Sequence, residues 1–290
     1  MFDFRYHALS LAGVFLALVV GLLLGVAIGD KELVSSARED IRDSLRNDVR
    51  RADTERDAAQ AQLKAEQSYG EKAFPILTDG RLRGRQLGLV MLGSTSVSAD
   101  TVQKWLDPSG ASLALVAELR DDVDVKALAE RARGTRYEGV GKDPDLLDAL
   151  GRRAGIQMVL GGRLVGELRT ALLQSTSGEF GGLDGVIVVR PSKEHKSKQQ
   201  ADRLADLQDG IVRGLAQTGV KVVGIESSDA DPSQIGWYRD RELSTVDNID
   251  ETAGHAALVF VLAGADGAFG RRDSAQDLLP PVVATVPGRP

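Results

Sequence analysis

The sequence predicts an α/β protein with a parallel, doubly wound sheet, preceded by one membrane-spanning helix and a coiled-coil stalk. Three observations predict this order. No charged residue occurs between 8 and 29, charged residues crowd the stretch from 31 to about 70, and short apolar runs alternate with helical patterns after Pro75. The expected parts are a transmembrane anchor (1–30), a helical stalk (31–72), a globular domain (80–278) and a disordered tail (279–290).

The uncharged stretch at 8–29 has the length of a membrane helix. As a helix it would extend about 33 Å, which matches the roughly 30 Å of hydrocarbon in a bilayer. Signal peptides carry shorter apolar regions, but Ala27 and Gly29 also fit the small residues of a cleavage site. We therefore predict a single-pass anchor that stays in the lipid, with a cleaved signal as the alternative.

Small residues recur at every fourth position of this helix. Such a spacing gives one face without bulky side chains, so that two helices can approach closely in lipid, where packing drives association. The small-residue row consists of Gly13, Ala17, Gly21, Gly25 and Gly29. We expect the chain to form a homo-oligomer through this row.

The charges that flank the helix leave its orientation open. Arg5 precedes the helix, and basic residues follow it at 31, 38, 42 and 46. This excess after the helix, taken by itself, favours a cytoplasmic domain. Acidic neighbours contribute little to this rule and do not cancel the count. Arg5 and the amino terminus nevertheless lie on the other side of the helix, and the sequence alone leaves the topology open.

The charged stretch from 31 to about 70 predicts one long helix. It contains no proline and no glycine before Gly70, and most of its residues have high helix propensity. An apolar stripe follows steps of three and four residues but is interrupted by Arg38 and Arg56. We expect the stripe to pair between copies that the membrane helix holds together, through Leu45, Val49 and Leu63; a solvated single helix is the alternative.

Five short apolar runs after Pro75 predict the strands of a globular domain. They lie at 86–92, 111–117, 183–189, 220–225 and 257–264, and helical patterns separate them at 98–106, 125–132, 145–154 and 198–217. Strands that are apolar on both faces and alternate with helices indicate a parallel sheet covered on both sides. The fold class is therefore a doubly wound sheet of the Rossmann or flavodoxin type, with an extra helical segment at about 123–178.

Composition excludes several classes of function. The net charge is -6 and basic residues are mixed with acidic ones, so we expect no nucleic acid partner. The chain has no cysteine, which excludes disulfides, thiolate catalysis and cysteine metal sites. Its three histidines are far apart and no G-x-S-x-G motif occurs. We predict no enzyme activity and no cofactor.

Two loops after predicted strands carry the candidate ligand-binding residues. Ligands of open parallel sheets bind beyond the carboxyl ends of the strands. The segment GSTS at 93–96 could hold an anion with N–H groups and hydroxyls, and STVDNID at 244–250 carries oxygen ligands suited to a hard cation. The candidates are Ser94, Thr95, Ser244, Asp247, Asn248 and Asp250. Helix capping and Asx-turn hydrogen bonds are the alternative role of both segments.

Three segments together resemble a known family. They are FRYHALSLAGVFLALVVGLLLGVAIGD at the amino terminus, LDGVIVVR in the middle and LSTVDNIDETAGHAALVFVLAGADGAFG near the end. Their order and wording resemble the actinobacterial copper transporter family typified by MctB. The resemblance implies a cell-envelope protein of copper efflux, described as an outer membrane channel, with the globular domain exported.

The sequence contains few residues of the types that bind copper tightly. Cu(I) prefers thiolate and thioether ligands and Cu(II) prefers imidazole, but Met1, Met91 and Met158 are isolated and no two histidines are close. We therefore expect copper as a transported ion that no tight site in a single chain holds. The alternatives are a structural envelope protein that presents its domain to a partner protein, and a small-ligand-binding module.

Overall fold

The computed structural model describes residues 4–28, 31–192 and 198–281. The chain divides into two compact units, Met1–Glu66 and Gln67–Pro290. Helices α1 to α9 span Phe4–Ile28, Lys31–Thr78, Ala99–Leu106, Val125–Arg131, Pro144–Leu160, Arg163–Leu172, Lys198–Ala216, Ile235–Arg239 and Thr252–Leu262. Strands β1 to β7 span Gln86–Met91, Ser112–Leu119, Leu173–Gly178, Gly185–Val189, Lys221–Ile225, Ser244–Val246 and Ala268–Phe269.

The first unit holds the apolar helix and most of the charged one. Within α1, Tyr6–Val26 is long and apolar enough to cross a membrane, and its side chains are exposed. Helix α2 begins at Lys31 and continues to Thr78, with Pro75 inside it. It extends past the predicted end of the stalk at 72, because Phe74 packs against Ala256 and Phe260.

The second unit is built on one mixed sheet. Its strand order is β3-β2-β1-β4-β5-β6-β7, and all neighbouring pairs are parallel except β2 with β3. This arrangement confirms the α/β class. The predicted runs at 86–92, 111–117, 183–189 and 220–225 correspond to β1, β2, β4 and β5.

Apolar clusters cover both faces of the sheet. Successive strand residues point to opposite faces, and the neighbours Leu89 and Val90 of β1 accordingly belong to different clusters. Residues of α4 to α8 pack in the cluster that contains Val90, and residues of α3 and α9 pack in the one that contains Leu89. The sheet therefore lies between two layers of helices.

The fifth predicted strand is wrong. The run at 257–264 begins inside helix α9, which ends at Leu262. Residues from Ala256 to Leu262 are all buried, and a short segment that is apolar on every side has no period that separates a buried helix from a buried strand. The segment at 263–270 consequently follows a helix, and it contains β7.

Three further strands lie where no apolar run predicts one. β3 has the sequence LQSTSG, is mostly exposed and forms the antiparallel edge of the sheet. It ends the segment at 123–178 that was expected to be helical. β6 and β7 contain three and two residues, too few for a recognisable pattern.

Helices α5 and α7 approach each other closely through glycines. Gly151 and Gly155 on α5 face Gly210 and Gly214 on α7, each pair four residues apart. A Cβ added at Gly151 would lie 2.5 Å from the carbonyl oxygen of Leu207, and one added at the other three would overlap the backbone of the facing helix. The contact therefore depends on the absence of side chains at these four positions.

The predicted tail at 279–290 is described only at its start. Leu279 packs against the apolar cluster of α3 and α9, and Pro280 is buried. Residues 282–290 lie outside the described part of the chain.

Candidate functional site

A cleft of about 410 Å³ opens at the carboxyl ends of β1, β4 and β5. Its lining comes from 94–97 after β1, 189–192 at the end of β4 and 225–231 at the end of β5. β1 and β4 are neighbours in the sheet, while the chain after β1 crosses to β2 on the other side of β1. A crevice at such a reversal of strand order is the usual place for a ligand in an open parallel sheet.

Ser94 and Thr95 both line this cleft. The Ser94 backbone N–H donates to Asp121 Oδ1 at 3.0 Å, and the Val97 N–H donates to Thr95 Oγ1 at 3.3 Å. The cap of α3 is Ser98, whose hydroxyl accepts from the Thr101 N–H. The predicted anion-binding pair thus belongs to the wall of a cleft, and the capping role falls to a different serine.

The four candidate residues of the segment at 244–250 do not form one site. Asp247 is 2% exposed, and its carboxylate accepts from the backbone N–H of Arg271 at 2.7 Å and of Arg272 at 3.2 Å. Asp250 accepts instead from the Ser228 N–H at 2.7 Å and the Ser228 hydroxyl at 2.6 Å. Each carboxylate therefore holds a different loop in place.

These contacts shift the titration of Asp250. Burial is the largest single effect and raises its pKa, but two hydrogen bonds from Ser228, a backbone hydrogen bond at Asp250 and the charge of His255 together lower the pKa below its ordinary value. Ser228 belongs to the loop that follows β5, and its neighbours Ser227 and Asp229 line the cleft. Asp250 consequently supports the cleft loop from outside.

Ser244 and Asn248 lie apart from the cleft lining. Ser244 begins β6, and its hydroxyl accepts from the Gly267 N–H at 3.3 Å. Asn248 is fully buried; its Nδ2 donates to Glu251 at 3.3 Å, and its Oδ1 has no hydrogen-bond partner in the described structure. Within the described ranges, no three histidine, aspartate or glutamate side chains come together as metal ligands.

Two charged residues of the cleft are not among the predicted ligand-binding residues. Glu226 follows β5, is 4% exposed, and accepts from the Gln234 N–H at 2.5 Å and the Ser233 hydroxyl at 2.7 Å. It also forms an ion pair of 2.7 Å with Arg272. The position of Glu226 directly after the apolar run of β5 is the sequence feature that could have identified it.

Arg190 is the second of these residues and follows β4. Its Nε donates to Gln208 Oε1 at 3.0 Å, its Nη1 donates to Gln234 Oε1, and its guanidinium carbon lies 4.7 Å from the centre of the Trp237 ring. Burial lowers the pKa of the guanidinium and Arg241 lowers it further, while the charges of Tyr238 and Asp209 oppose the shift. The cleft therefore contains a half-buried positive charge.

The expected self-association residues are exposed within one chain. A Cβ added at Gly13, Gly21 or Gly25 would meet nothing within 4 Å, and Ala17 is exposed. Leu45, Val49 and Leu63 are 58%, 58% and 57% exposed. Gly29 lies outside the described residues. The row and the stripe thus remain open surfaces of the first unit.

A family model now adds to this geometry. The model described as "Copper transport outer membrane protein, MctB" matches residues 1–280. The chain belongs to the MctB family. The match confirms the resemblance carried by the amino-terminal, central and carboxyl-terminal segments. The family description and the apolar helix α1 together agree with a membrane or envelope protein.

Curated relatives in this family match over a shorter region. The chain is 29% identical over 136 residues to proteins named "Copper transporter MctB" from Mycobacterium tuberculosis (strain ATCC 25618 / H37Rv) and from Mycobacterium bovis (strain ATCC BAA-935 / AF2122/97). The matched region is 46% of this chain and 42% of each relative. The chain therefore aligns with less than half the length of these MctB proteins.

Proposed function

We propose that the chain is a membrane-anchored envelope protein of copper efflux and copper homeostasis, and that it acts as a homo-oligomer. The observation that carries this proposal is the match of the MctB family model to residues 1–280, which includes both the apolar helix and the α/β domain. The mycobacterial relatives are named as copper transporters. Copper in this proposal is the cargo and not a resident cofactor.

The proposed path for copper is formed between copies of the chain. One membrane helix cannot enclose a pore, because a channel wall needs several helices or a closed barrel. The chain has no cysteine, and the described residues contain no cluster of metal ligands, so the ion would be held weakly and released readily. Association through the small-residue row would place several α1 helices around one axis.

The same proposal extends to the finer architecture. The strand order, which reverses between β1 and β4, supports a doubly wound sheet, and the exposed stripe of α2 supports a coiled coil between copies. We further propose one membrane crossing with the globular domain outside the cytoplasm. Protease added to intact spheroplasts would then remove the domain; protection of the domain would contradict its export.

Copper handling in the host cell tests the function itself. Deletion of the gene is expected to lower copper tolerance and to raise intracellular copper, and the wild-type gene is expected to restore both. Zinc tolerance serves as the control for general envelope damage. Unchanged tolerance and unchanged intracellular copper in the deletion strain would overturn the proposed role in efflux.

A further inference from the structure

The cleft at the ends of β1, β4 and β5 contains Arg190, whose guanidinium contacts no carboxylate among the residues that the structure describes. Both hydrogen-bond acceptors of the Arg190 guanidinium, Gln208 and Gln234, are neutral amides, and Arg190 forms no ion pair in the part of the chain that the structure describes. A charge removed from water costs free energy unless an opposite charge compensates it. Arg190 is half-buried, so this cost applies to it.

Two neighbouring arginines differ from Arg190 because a carboxylate compensates the charge of each. Arg241, which contacts the same Trp237 ring at 3.8 Å, donates from Nε to Asp209 at 2.9 Å. Arg272 lies 2.7 Å from the buried carboxylate of Glu226. The charge of Asp209 acts on Arg190, but its carboxylate is already paired with Arg241. Glu226 is likewise paired with Arg272, so neither carboxylate forms an ion pair with Arg190.

The opposite wall of the cleft offers neutral donors. The backbone N–H groups of Thr95 and Ser96 donate no hydrogen bond within the described residues, and the Ser96 hydroxyl has no partner there either. Both residues line the cleft together with Arg190. Among the described residues, the Arg190 Nη2 and these N–H and O–H groups have no partner, and together they form a donor set suited to an oxyanion.

We infer that this cleft binds a small molecule through a carboxylate or phosphate group, which Arg190 and the N–H groups of Thr95 and Ser96 would hold. Asp229 and Asp231 also line the cleft. Their negative charge favours a ligand of small total charge over a polyanion. The inference is independent of the copper function, because none of these residues is asked to touch the metal.

The guanidinium also fits this role by its geometry. Two amide oxygens and the Trp237 ring hold it in place, so little side-chain entropy remains to be lost when a ligand binds. Planar donors of this kind recognise carboxylate and phosphate groups through paired hydrogen bonds.

Anion titration of the full-length protein in detergent tests the inference. The probes are inorganic phosphate and acetate, each compared with chloride at matched ionic strength, and binding is followed by thermal shift and calorimetry. We expect at least one probe to bind, and Arg190→Gln to weaken it about tenfold or more. The control Arg153→Gln changes an exposed arginine outside the cleft and should leave binding unchanged.

A second variant keeps the test decisive if Arg190→Gln does not fold. Gln208→Glu supplies a carboxylate to Arg190 from within the chain, and it is expected to abolish the anion-dependent shift while the circular dichroism of the domain is retained. The difference between phosphate and acetate identifies which group the cleft prefers. Absence of binding by both probes, or equal binding in the wild type and a folded Arg190 or Gln208 variant, would overturn the inference.

Discussion

Glycines spaced four residues apart occur in two regions of the molecule, and the two regions use them differently. On α5 and α7 the glycines face each other, and an added Cβ would overlap the backbone of the other helix. On α1 the same spacing leaves Gly13, Gly21 and Gly25 with nothing within 4 Å. The motif predicts close helix approach in both places, but only the α/β domain provides the second helix within one chain.

The charged helix α2 shows the same contrast along its own length. Leu45 in the first unit is 58% exposed, whereas Phe74 in the second unit is buried among Ala256 and Phe260. Most large apolar side chains of the second unit are covered by their own chain, although Ile76 and Leu77 of α2 are exposed. The large apolar side chains of α1 and of the α2 stripe are exposed, which is why we propose self-association there.

The largest expected effect comes from adding a side-chain carbon at a glycine that contacts another helix. Gly155→Ala should lower the free energy of unfolding by about 4 kcal/mol, because the new Cβ would force α5 and α7 apart. Gly166→Ala is the matched control, since an added Cβ at this exposed helical position meets nothing within 4 Å. It should stabilise by about 0.5–1 kcal/mol. Urea unfolding measures the effect of both substitutions on stability. Equal effects would contradict a close contact between α5 and α7 at Gly155.

Truncation of the covered apolar side chain of α2 comes next. Phe74→Ala should destabilise the domain by about 3 kcal/mol, because its ring is lost from a buried cluster. Leu45→Ala removes an exposed side chain and should change domain unfolding by less than about 0.5 kcal/mol. A large loss of domain stability in Leu45→Ala would show that the stripe is covered within the chain after all.

A smaller effect is expected from His255, which packs against Phe74. Its ring lies 5.7 Å from Phe74 and stacks on Trp105 at 4.8 Å, and burial lowers its pKa while Asp250 and a hydrogen bond at Ile249 oppose that shift. The folded state therefore disfavours the charged imidazole. Stability should be full above the unfolded pKa of 6.5 and should fall as the pH drops through the lower folded value.

His255→Leu should reduce this slope between about pH 7 and pH 5. The measurement is the urea midpoint at a series of pH values, with His7→Leu in the exposed apolar helix α1 as the control. An unchanged slope in His255→Leu would contradict a role for this ring in the pH dependence.

Sequence reasoning located the parts of the molecule that follow from continuous local patterns. Four strands were found because each is a run of apolar residues, and Ser94 and Thr95 were placed correctly after a strand end. The run in α9 was misassigned because burial on all sides removes periodicity. The polar edge strand β3 gives no apolar signal at all.

The partners of the charged cleft residues could be recognised only from the tertiary structure. Arg190 is distinctive because its partners, Gln208 and Gln234, are neutral and lie 18 and 44 residues away. The importance of Glu226 depends on Arg272, which follows the last strand. One sequence shows these residue types but not which of them meet.

The oligomeric mass of the full-length chain in lipid nanodiscs tests the central claim, that the open row on α1 is completed by another copy. Native mass spectrometry would compare the wild type with Gly21→Leu and with Val19→Leu, a control on the other side of the same helix. We expect oligomers for the wild type and for Val19→Leu, and monomers for Gly21→Leu. A monomeric wild type, or oligomers that persist in Gly21→Leu, would contradict it.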